Sequence, residues 1–410
     1  MNEKQTLANS LFDSKNVPQD ALKIIENFDQ VVQGIKPLNS RQLQQLPENI
    51  RALSHQMTDD RASRRLGYMN ENVQLSSYVR YFTWWNLVRL TKLFSNLPEQ
   101  SFPQEDCICL DLGSGPLTVV TALFLARPEL RSRKFVWYCL DVSANSMALG
   151  EDIFLSVCAK LNAEPWQIIR VKGSFGTTLK QKASFITCAN MFNELDQSND
   201  MPPEFKVKKY FDQLLHYAQK DSRFLLIEPG VPKAARTLSL LRDRFLKDGA
   251  AVLAPCPHSC DCPMNGFKAY TGSKNKWCNF AFETKGAPSK LLKLSTDAKL
   301  PKERATLSFI SVSKVSFAVP ELVEGAKGFN GVKKSLIRIT SDGFKLPNYM
   351  KGFYACTEYG LALLTIPDEN NNRLPKPPFV PKSGDLIQVK KITPDSLPKD
   401  EKSGAVIIKL

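Results

Sequence analysis

The chain has 410 residues, enough for two or three domains with sizeable cores. Hydrophobic residues make up 43% and charged residues 23%, ordinary globular usage that excludes a wholly disordered or fibrous chain. The net charge of +14 is uneven: residues 256–410 hold 24 Lys/Arg against 14 Asp/Glu, and residues 1–255 hold 31 against 27.

A basic C-terminal third suits a polyanionic partner such as nucleic acid, or simply a Lys-rich soluble surface. No apolar run approaches the roughly 18 residues of a bilayer span, which argues against an integral membrane protein. The start, Met1-Asn2-Glu3-Lys4-Gln5, lacks the apolar core of a secretory signal and the Arg-rich, acid-poor character of a transit peptide. It predicts a bacterial cytoplasmic location, ahead of a mitochondrial one.

Residues 1–100 read as helical, with apolar spacing near 3.6 over Gln19–Val32 and Arg41–Gln56. A third helix, Tyr78–Phe94, carries an aromatic stripe of Tyr78, Tyr81, Phe82, Trp84 and Trp85. That stripe reads as core rather than as a base-stacking platform. Pro98 and Pro103 bracket a linker.

From Cys107 the pattern turns to alternating strands and helices. Strands are predicted over Cys107–Leu112, Lys134–Leu140, Ile168–Val171, Ser184–Ala189 and Arg223–Ile227. Helices are predicted over Leu117–Ala126, Ser146–Leu161, Phe205–Ala218 and Lys233–Lys247. This alternation is that of an α/β, Rossmann-like, mostly parallel doubly wound sheet. Residues 255–280 are rich in Cys, Pro and Gly. Beyond them, strands are predicted over Ala305–Val315, Leu336–Thr340, Gly352–Cys356, Leu361–Ile366, Asp385–Ile392 and Ala405–Leu410. The expected organisation is a helical region (1–100), a Rossmann-like domain (101–254), a Cys-rich segment (255–300) and a small, basic β-rich region (301–410).

Asp111-Leu112-Gly113-Ser114-Gly115-Pro116 closes the first predicted strand. Glycines there let the backbone approach a ligand, and the next helix offers free N–H groups. Asp141, 26 residues after Gly115, ends the second strand, where a carboxylate can take ribose hydroxyls. The third glycine of a diphosphate loop is replaced by Thr118. The loop therefore suits S-adenosylmethionine, which has no phosphates, or else is a nucleotide fold that binds nothing. Asp111, Gly113, Ser114, Gly115, Asp141 and Asn190 are the expected cofactor-binding residues.

The fourth strand ends in Asn190-Met191-Phe192-Asn193-Glu194-Leu195. Asn190, Asn193 and Glu194 are the candidates for catalysis or substrate holding, but no Asn-Pro-Pro-Tyr signature for amine methylation is present. Cys188 lies inside the strand and makes a poor ring nucleophile. Glu228-Pro229-Gly230 lines the same cleft or forms a structural turn.

Of ten cysteines, Cys107, Cys109, Cys139, Cys158 and Cys188 sit in apolar stretches and read as small buried hydrophobes. Cys256, Cys260 and Cys262 crowd together beside prolines, with Trp277-Cys278 downstream. Such thiols select zinc, copper(I) or an iron–sulfur cluster. The spacing is not the Cys-x-x-Cys pair of a zinc ribbon.

Together these segments resemble the Rsm-type small-subunit ribosomal RNA methyltransferase family, from about residue 60 to residue 366. The resemblance rests on Leu110–Pro116, Asn193-Glu194-Leu195, Ile227–Gly230, Ala254-Pro255-Cys256-Pro257-His258, Cys262-Pro263 and Trp277-Cys278-x-Phe280. It implies an S-adenosylmethionine-type domain, association with the small ribosomal subunit and its RNA during assembly, and a [4Fe–4S] cluster. The implied cluster ligands are Cys256, Cys262, Cys278 and Cys356, with Cys260 a spare and zinc the alternative metal. Asn279 stands where the family often has His. No DNA or membrane partner is expected. The expected function is methyl transfer to small-subunit ribosomal RNA; the alternative is a non-catalytic iron–sulfur assembly factor that binds immature rRNA.

Overall fold

The computed structural model describes residues 6–58, 68–195, 201–266, 276–315, 334–371 and 373–410. Part of the Cys-rich segment, 267–275, thus lies outside the described residues. Strand β1 (Thr6–Ser10) precedes helices α1 (Gln19–Glu26), α2 (Phe28–Ile35) and α3 (Ser40–Thr58). The single helix expected over Gln19–Val32 is two, because Asn27 leaves helical geometry (φ −110°, ψ 23°). Its side-chain amide donates to the Lys23 carbonyl at 3.0 Å and caps the first helix. Then α4 (Asn72–Ser77), a π-helical turn (Tyr78–Thr83) and α5 (Trp84–Phe94) run on with helical dihedrals at both junctions.

The expected alternation follows: β2 (Ile108–Leu112), α6 (Thr118–Ala126), β3 (Val136–Asp141), α7 (Ala144–Lys160), β4 (Gln167–Lys172) and β5 (Ala183–Ala189). It continues with α8 (Pro203–Tyr217), β6 (Ala218–Glu228), α9 (Pro232–Lys247) and β7 (Ala251–Ala254). After these come β8 (Phe280–Glu283), α10 (Ser289–Asp297) and β9 (Arg304–Ser313). The chain closes with β10 (Lys334–Ile339), β11 (Phe344–Leu346), β12 (Met350–Thr357), β13 (Gly360–Pro367), β14 (Asp385–Lys390) and β15 (Val406–Lys409).

The first sheet has the order β4-β3-β2-β5-β6-β9-β7, with β8 on β9. Strands β2 to β6 are parallel, and β9 runs antiparallel to both β6 and β7. The strand order reverses at β2: β3 and β4 lie to one side, β5 and β6 to the other. Alternate residues face opposite layers, as period two requires. Leu225 and Ile227 join the core with α6, α7 and the N-terminal helices, while Phe224 and Leu226 join the core with α8 and α9. Every residue of α6 is buried, which fits its all-round apolar sequence.

The sequence groups β9 with the C-terminal strands, but it completes the first sheet. An apolar run of β-formers fits either sheet, and only packing decides between them. The second sheet has the order β1-β14-β10-β12-β13-β15, with β11 on β12. Its neighbours are antiparallel except β13 and β15. The N-terminal strand β1, unforeseen in the sequence, extends this sheet through β14. Among the described residues no helix is long and apolar enough to cross a membrane.

The aromatic stripe is mostly core, as expected: Tyr81, Trp84 and Trp85 are buried. Buried indole N–H groups need acceptors. The Trp84 Nε1 donates to the Ile25 carbonyl at 2.7 Å, and the Trp85 Nε1 donates to the Ser295 hydroxyl at 3.1 Å.

Helix α7 lies against the loop that follows β2. A Cβ on Gly150 would stand 2.3 Å from the Pro116 carbonyl carbon, so the two backbones touch. Gly150→Ala should therefore displace the helix or the loop and destabilise the protein by about 1–3 kcal/mol. A Cβ on Gly34 of α2 would meet nothing within 4 Å, so Gly34→Ala is the control and should leave the melting temperature unchanged or raised. Calorimetric melting of both variants checks this.

Candidate functional site

A cleft of about 1030 Å³, including its open mouth, lies over the carboxyl ends of β2 to β5. This is where the strand order reverses, the usual ligand position of an open α/β sheet. Gly113, Ser114, Gly115 and Pro116 line it after β2, Asp141 and Val142 after β3, and Gly173 to Phe175 after β4. Asn190, Met191, Glu194 and Leu195 complete it after β5.

The loop after β2 is built on left-handed backbone at Gly113 (φ 65°) and Gly115 (φ 49°), which glycine tolerates best. The Gly113 and Ser114 amides both donate to the Leu140 carbonyl, at 2.9 and 3.1 Å. The Asp141 carboxylate then takes the Gly115 amide on Oδ2 at 2.9 Å and the Ser143 amide on Oδ1 at 2.8 Å. A carboxylate has about four lone-pair sites, so these bonds leave acceptor capacity for a ligand.

The cofactor residues expected from the sequence divide. Gly113, Ser114, Gly115, Asp141 and Asn190 line the cleft. Asp111 does not: it is fully buried in the sheet, where Oδ1 accepts from the Thr187 hydroxyl at 2.7 Å. Among the described residues its Oδ2 has no hydrogen-bond partner, and burial raises its pKa to about 7. The position inside a central strand is the reason. Glycine-loop patterns place the acid near the ligand along the chain, but the pleat turns it away.

Of the catalytic candidates, Asn190 and Glu194 line the cleft, and Asn193 does not. Asn190 sits in left-handed geometry (φ 62°) with its amide donating to the Ile227 carbonyl at 2.8 Å. Its Oδ1 accepts from Arg89 Nη2 of α5 at 3.3 Å. Arg89 also donates to Asn86 Oδ1 at 2.7 Å and to the Thr306 carbonyl of β9 at 2.8 Å. The Asn193 amide donates to Glu228 Oε2 at 3.0 Å, and the Phe192 amide to Glu228 Oε1 at 2.9 Å. Glu228 is buried behind the cleft rather than lining it, and burial raises its pKa to about 8. Cys188 is fully buried, and burial pushes its thiol well above the ordinary range. It is no nucleophile for this cleft.

Sequence reading missed the cleft wall supplied by the N-terminal helices. Met69, Tyr78, Asn86 and Leu90 line it. Tyr78 opens the π-helical turn, and such turns often mark functional sites. Read as one member of a core stripe, it gave no local sign of a different role.

The cysteines form a second locus. Cys256, Cys262 and Cys278 are half-buried, Cys356 is buried, and Cys260 is exposed. Burial raises the Cys278 thiol well above its usual value, and the neighbouring Cys262, Cys256 and Cys356 raise it further. Cys356 is raised by burial and by Cys256 and Cys262. Among the described residues no three His, Cys, Asp or Glu side chains share a metal-sized centre.

Two buried arginines hold the segment. Arg242 of α9 donates from Nε to the Cys256 sulfur at 3.2 Å, and from Nη2 to the His258 and Cys260 carbonyls at 3.1 and 2.7 Å. Arg338 of β10 donates from Nε to the Pro255 carbonyl at 2.9 Å, and from Nη1 to Asn9 Oδ1 and the Gly384 carbonyl at 3.1 and 2.8 Å. His258 Nε2 stands 3.0 Å from the Cys356 sulfur.

A family model described as mitochondrial small ribosomal subunit Rsm22 matches residues 83–338. No curated protein matches the chain. Similar solved structures include the precorrin-6y C5,15-methyltransferase of Geobacter metallireducens, 12% identical, covering 62% of this chain and 95% of that one at a TM-score of 0.31. A methyltransferase from Pyrococcus furiosus is 13% identical and covers 53% and 79% at a TM-score of 0.28. The ribosomal protein L11 methylase of Lactobacillus delbrueckii is 14% identical and covers 42% and 69% at a TM-score of 0.26.

The folded protein keeps protons on Asp111 and Glu228 that the unfolded chain releases above about pH 4. Their contribution is most favourable below that pH and is lost progressively as pH rises towards about 7 and 8. Asp111→Asn cannot ionise. Its melting temperature should fall less than the wild type's between about pH 5 and pH 8. Equal slopes in calorimetry across that range would exclude the assigned ionisation.

Proposed function

Since the chain belongs to the Rsm22 family, whose model matches well over half of it, we propose that it binds S-adenosylmethionine and acts on small-subunit ribosomal RNA during ribosome assembly. The observation that carries this reading is the cleft at the reversal of strand order, with Asp141 and the glycine loop on its floor. The residues fit the cofactor. Asp141 keeps lone pairs for ribose hydroxyls, Gly113 and Gly115 admit a close approach, and Phe175 and Met191 give apolar walls. Glu194 and the Tyr78 ring are the groups suited to a sulfonium cation. Bound there, the cofactor would supply an electrophilic methyl group.

A second reading, a non-catalytic assembly factor, is favoured by one observation. Among the described residues, Tyr78, Asp141 and Glu194 are the titratable ones lining the cleft, and Asn190 Oδ1 is already engaged by Arg89. Among these, Glu194 is the group suited to take a base proton. Titration calorimetry with S-adenosylmethionine, followed by transfer of labelled methyl to immature small subunits, separates the readings. Asp141→Asn should weaken cofactor binding at least tenfold, about 1.4 kcal/mol. Cofactor binding without labelling selects the assembly factor, and absence of cofactor binding removes the site.

The proposal extends to the cysteines. Cys256, Cys262, Cys278 and Cys356 would hold a [4Fe–4S] cluster, with zinc as the alternative. Two contacts support this reading: Arg242 Nε lies 3.2 Å from the Cys256 sulfur, where a guanidinium would offset thiolate charge, and His258 of the Cys-rich segment lies 3.0 Å from the Cys356 sulfur. Such a group would tie β12 to the Cys-rich segment and make ligation part of folding. Anaerobically purified protein should be brown, with roughly four irons and four sulfides per chain. Cys356→Ser should lose both colour and solubility, and Cys260→Ser neither. A colourless preparation with one zinc per chain would exclude the cluster and keep the ligands.

A further inference from the structure

Five strands of the second sheet follow a recognisable path. Taken in chain order, β10, β12, β13, β14 and β15 are arranged fourth-first-second-third-fifth. All neighbours are antiparallel except the third and fifth, β13 and β15. This is the connectivity of the OB fold, a partly open five-stranded Greek key, with the β14 edge that would face the fifth strand taken here by β1. Its interior is filled by Ile337, Ile339, Phe353, Leu364 and Ile387. In such barrels a ligand strand lies over the second and third strands, flanked by the loops after the first and fourth.

Here that face is the outer surface of β12 and β13. Phe353 and Ala355 point inward, so Gly352, Tyr354 and Cys356 point outward. The Cys356 end is covered by the Cys-rich segment, through the Arg338 bond to Pro255 and the Thr340 bond to Met264. Among the described residues the other end keeps exposed groups. Phe344, from the loop after the first barrel strand, stacks on Tyr354 with centroids 5.1 Å apart and planes at 29°. The Lys276 ammonium lies 3.7 Å from the Tyr354 centroid. At the tip of the same loop Tyr349 is 66% exposed, next to exposed Lys345. Exposed Lys390 and Lys391 open the loop after the fourth strand. Among the described residues Lys276 and Lys345 have no carboxylate partner.

We propose that this end binds a single-stranded RNA segment, with bases stacking on Tyr349 and Phe344 and phosphates held by Lys345 and Lys276. Aromatic faces beside unpaired cations match a polyanion with π surfaces. The cations disfavour the neutral oligosaccharides that related barrels also bind. The proposal deepens the ribosomal reading above and rests on it for the choice of RNA.

The test uses the full chain and a fluorescein-labelled twelve-nucleotide oligouridine, read by anisotropy. Tyr349→Ala should weaken binding about tenfold, and Tyr349→Phe should not. Lys345→Gln should weaken it and lower the slope against log salt by about one. Phe205→Ala, on the exposed surface of α8, is the control and should bind as wild type. Unchanged melting temperatures exclude misfolding, since these side chains are exposed. Wild-type affinity in both Tyr349→Ala and Lys345→Gln overturns the proposal, as does a wild-type protein that fails to bind the oligonucleotide. Variants that bind it normally but no longer co-sediment with small subunits assign the face to a ribosomal protein and also overturn it. The ribosomal reading itself falls only if the wild-type chain does not co-sediment.

Discussion

The Asp141 carboxylate holds the mouth of the first sheet together. One oxygen takes the Gly115 amide and the other the Ser143 amide, so the loop after β2 and the start of α7 share one anchor. Charge-assisted bonds of this kind are about twice as strong as neutral ones. The backbone contact between Gly150 and Pro116 packs the same helix on the same loop from below. Two left-handed glycines are thereby kept in a conformation that presents backbone rather than side chains to the cleft. Everything proposed for a cofactor depends on that presentation.

Behind the cleft, a polar layer joins elements that are distant in sequence. Arg89 reaches from α5 to Asn190 at the end of β5 and to Thr306 in β9. Glu228 receives the Phe192 and Asn193 amides and so shapes the turn that carries Asn190 and Glu194. A buried carboxyl in such a place is costly unless its acceptors are used, and both oxygens are used here. The N-terminal helices are thus part of the site and not merely its cover.

Arg242 and Arg338 do for the Cys-rich segment what Asp141 does for the glycine loop. One comes from a helix of the first sheet's layer and the other from the barrel, and both bind backbone carbonyls of the segment or its flank. Buried guanidiniums are expensive to leave unpaired, so each enforces the geometry that satisfies it. Residues 255–260 are thereby tied both to α9 and to β10. The same packing brings Cys356 of β12 to His258 of the segment. At the opposite end of that strand face Tyr354 and Phe344 stack, with the Lys276 ammonium over the Tyr354 ring.

The sequence by itself determined the alternating strands and helices of residues 107–247, the glycine loop and the place of Asp141 at the end of its strand. These rest on local period, turn chemistry and short motifs, which a chain carries whatever it packs against. It did not determine which sheet β9 joins, that β1 extends the barrel, or that Tyr78 lines the cleft while Asp111 turns away from it. Those outcomes depend on partners far along the chain: Arg89 meets Asn190 across 101 residues, and Arg338 meets Pro255 across 83. Periodicity says that a residue is buried but not against what. Only the tertiary structure, by satisfying each buried polar group at once, decides the neighbour.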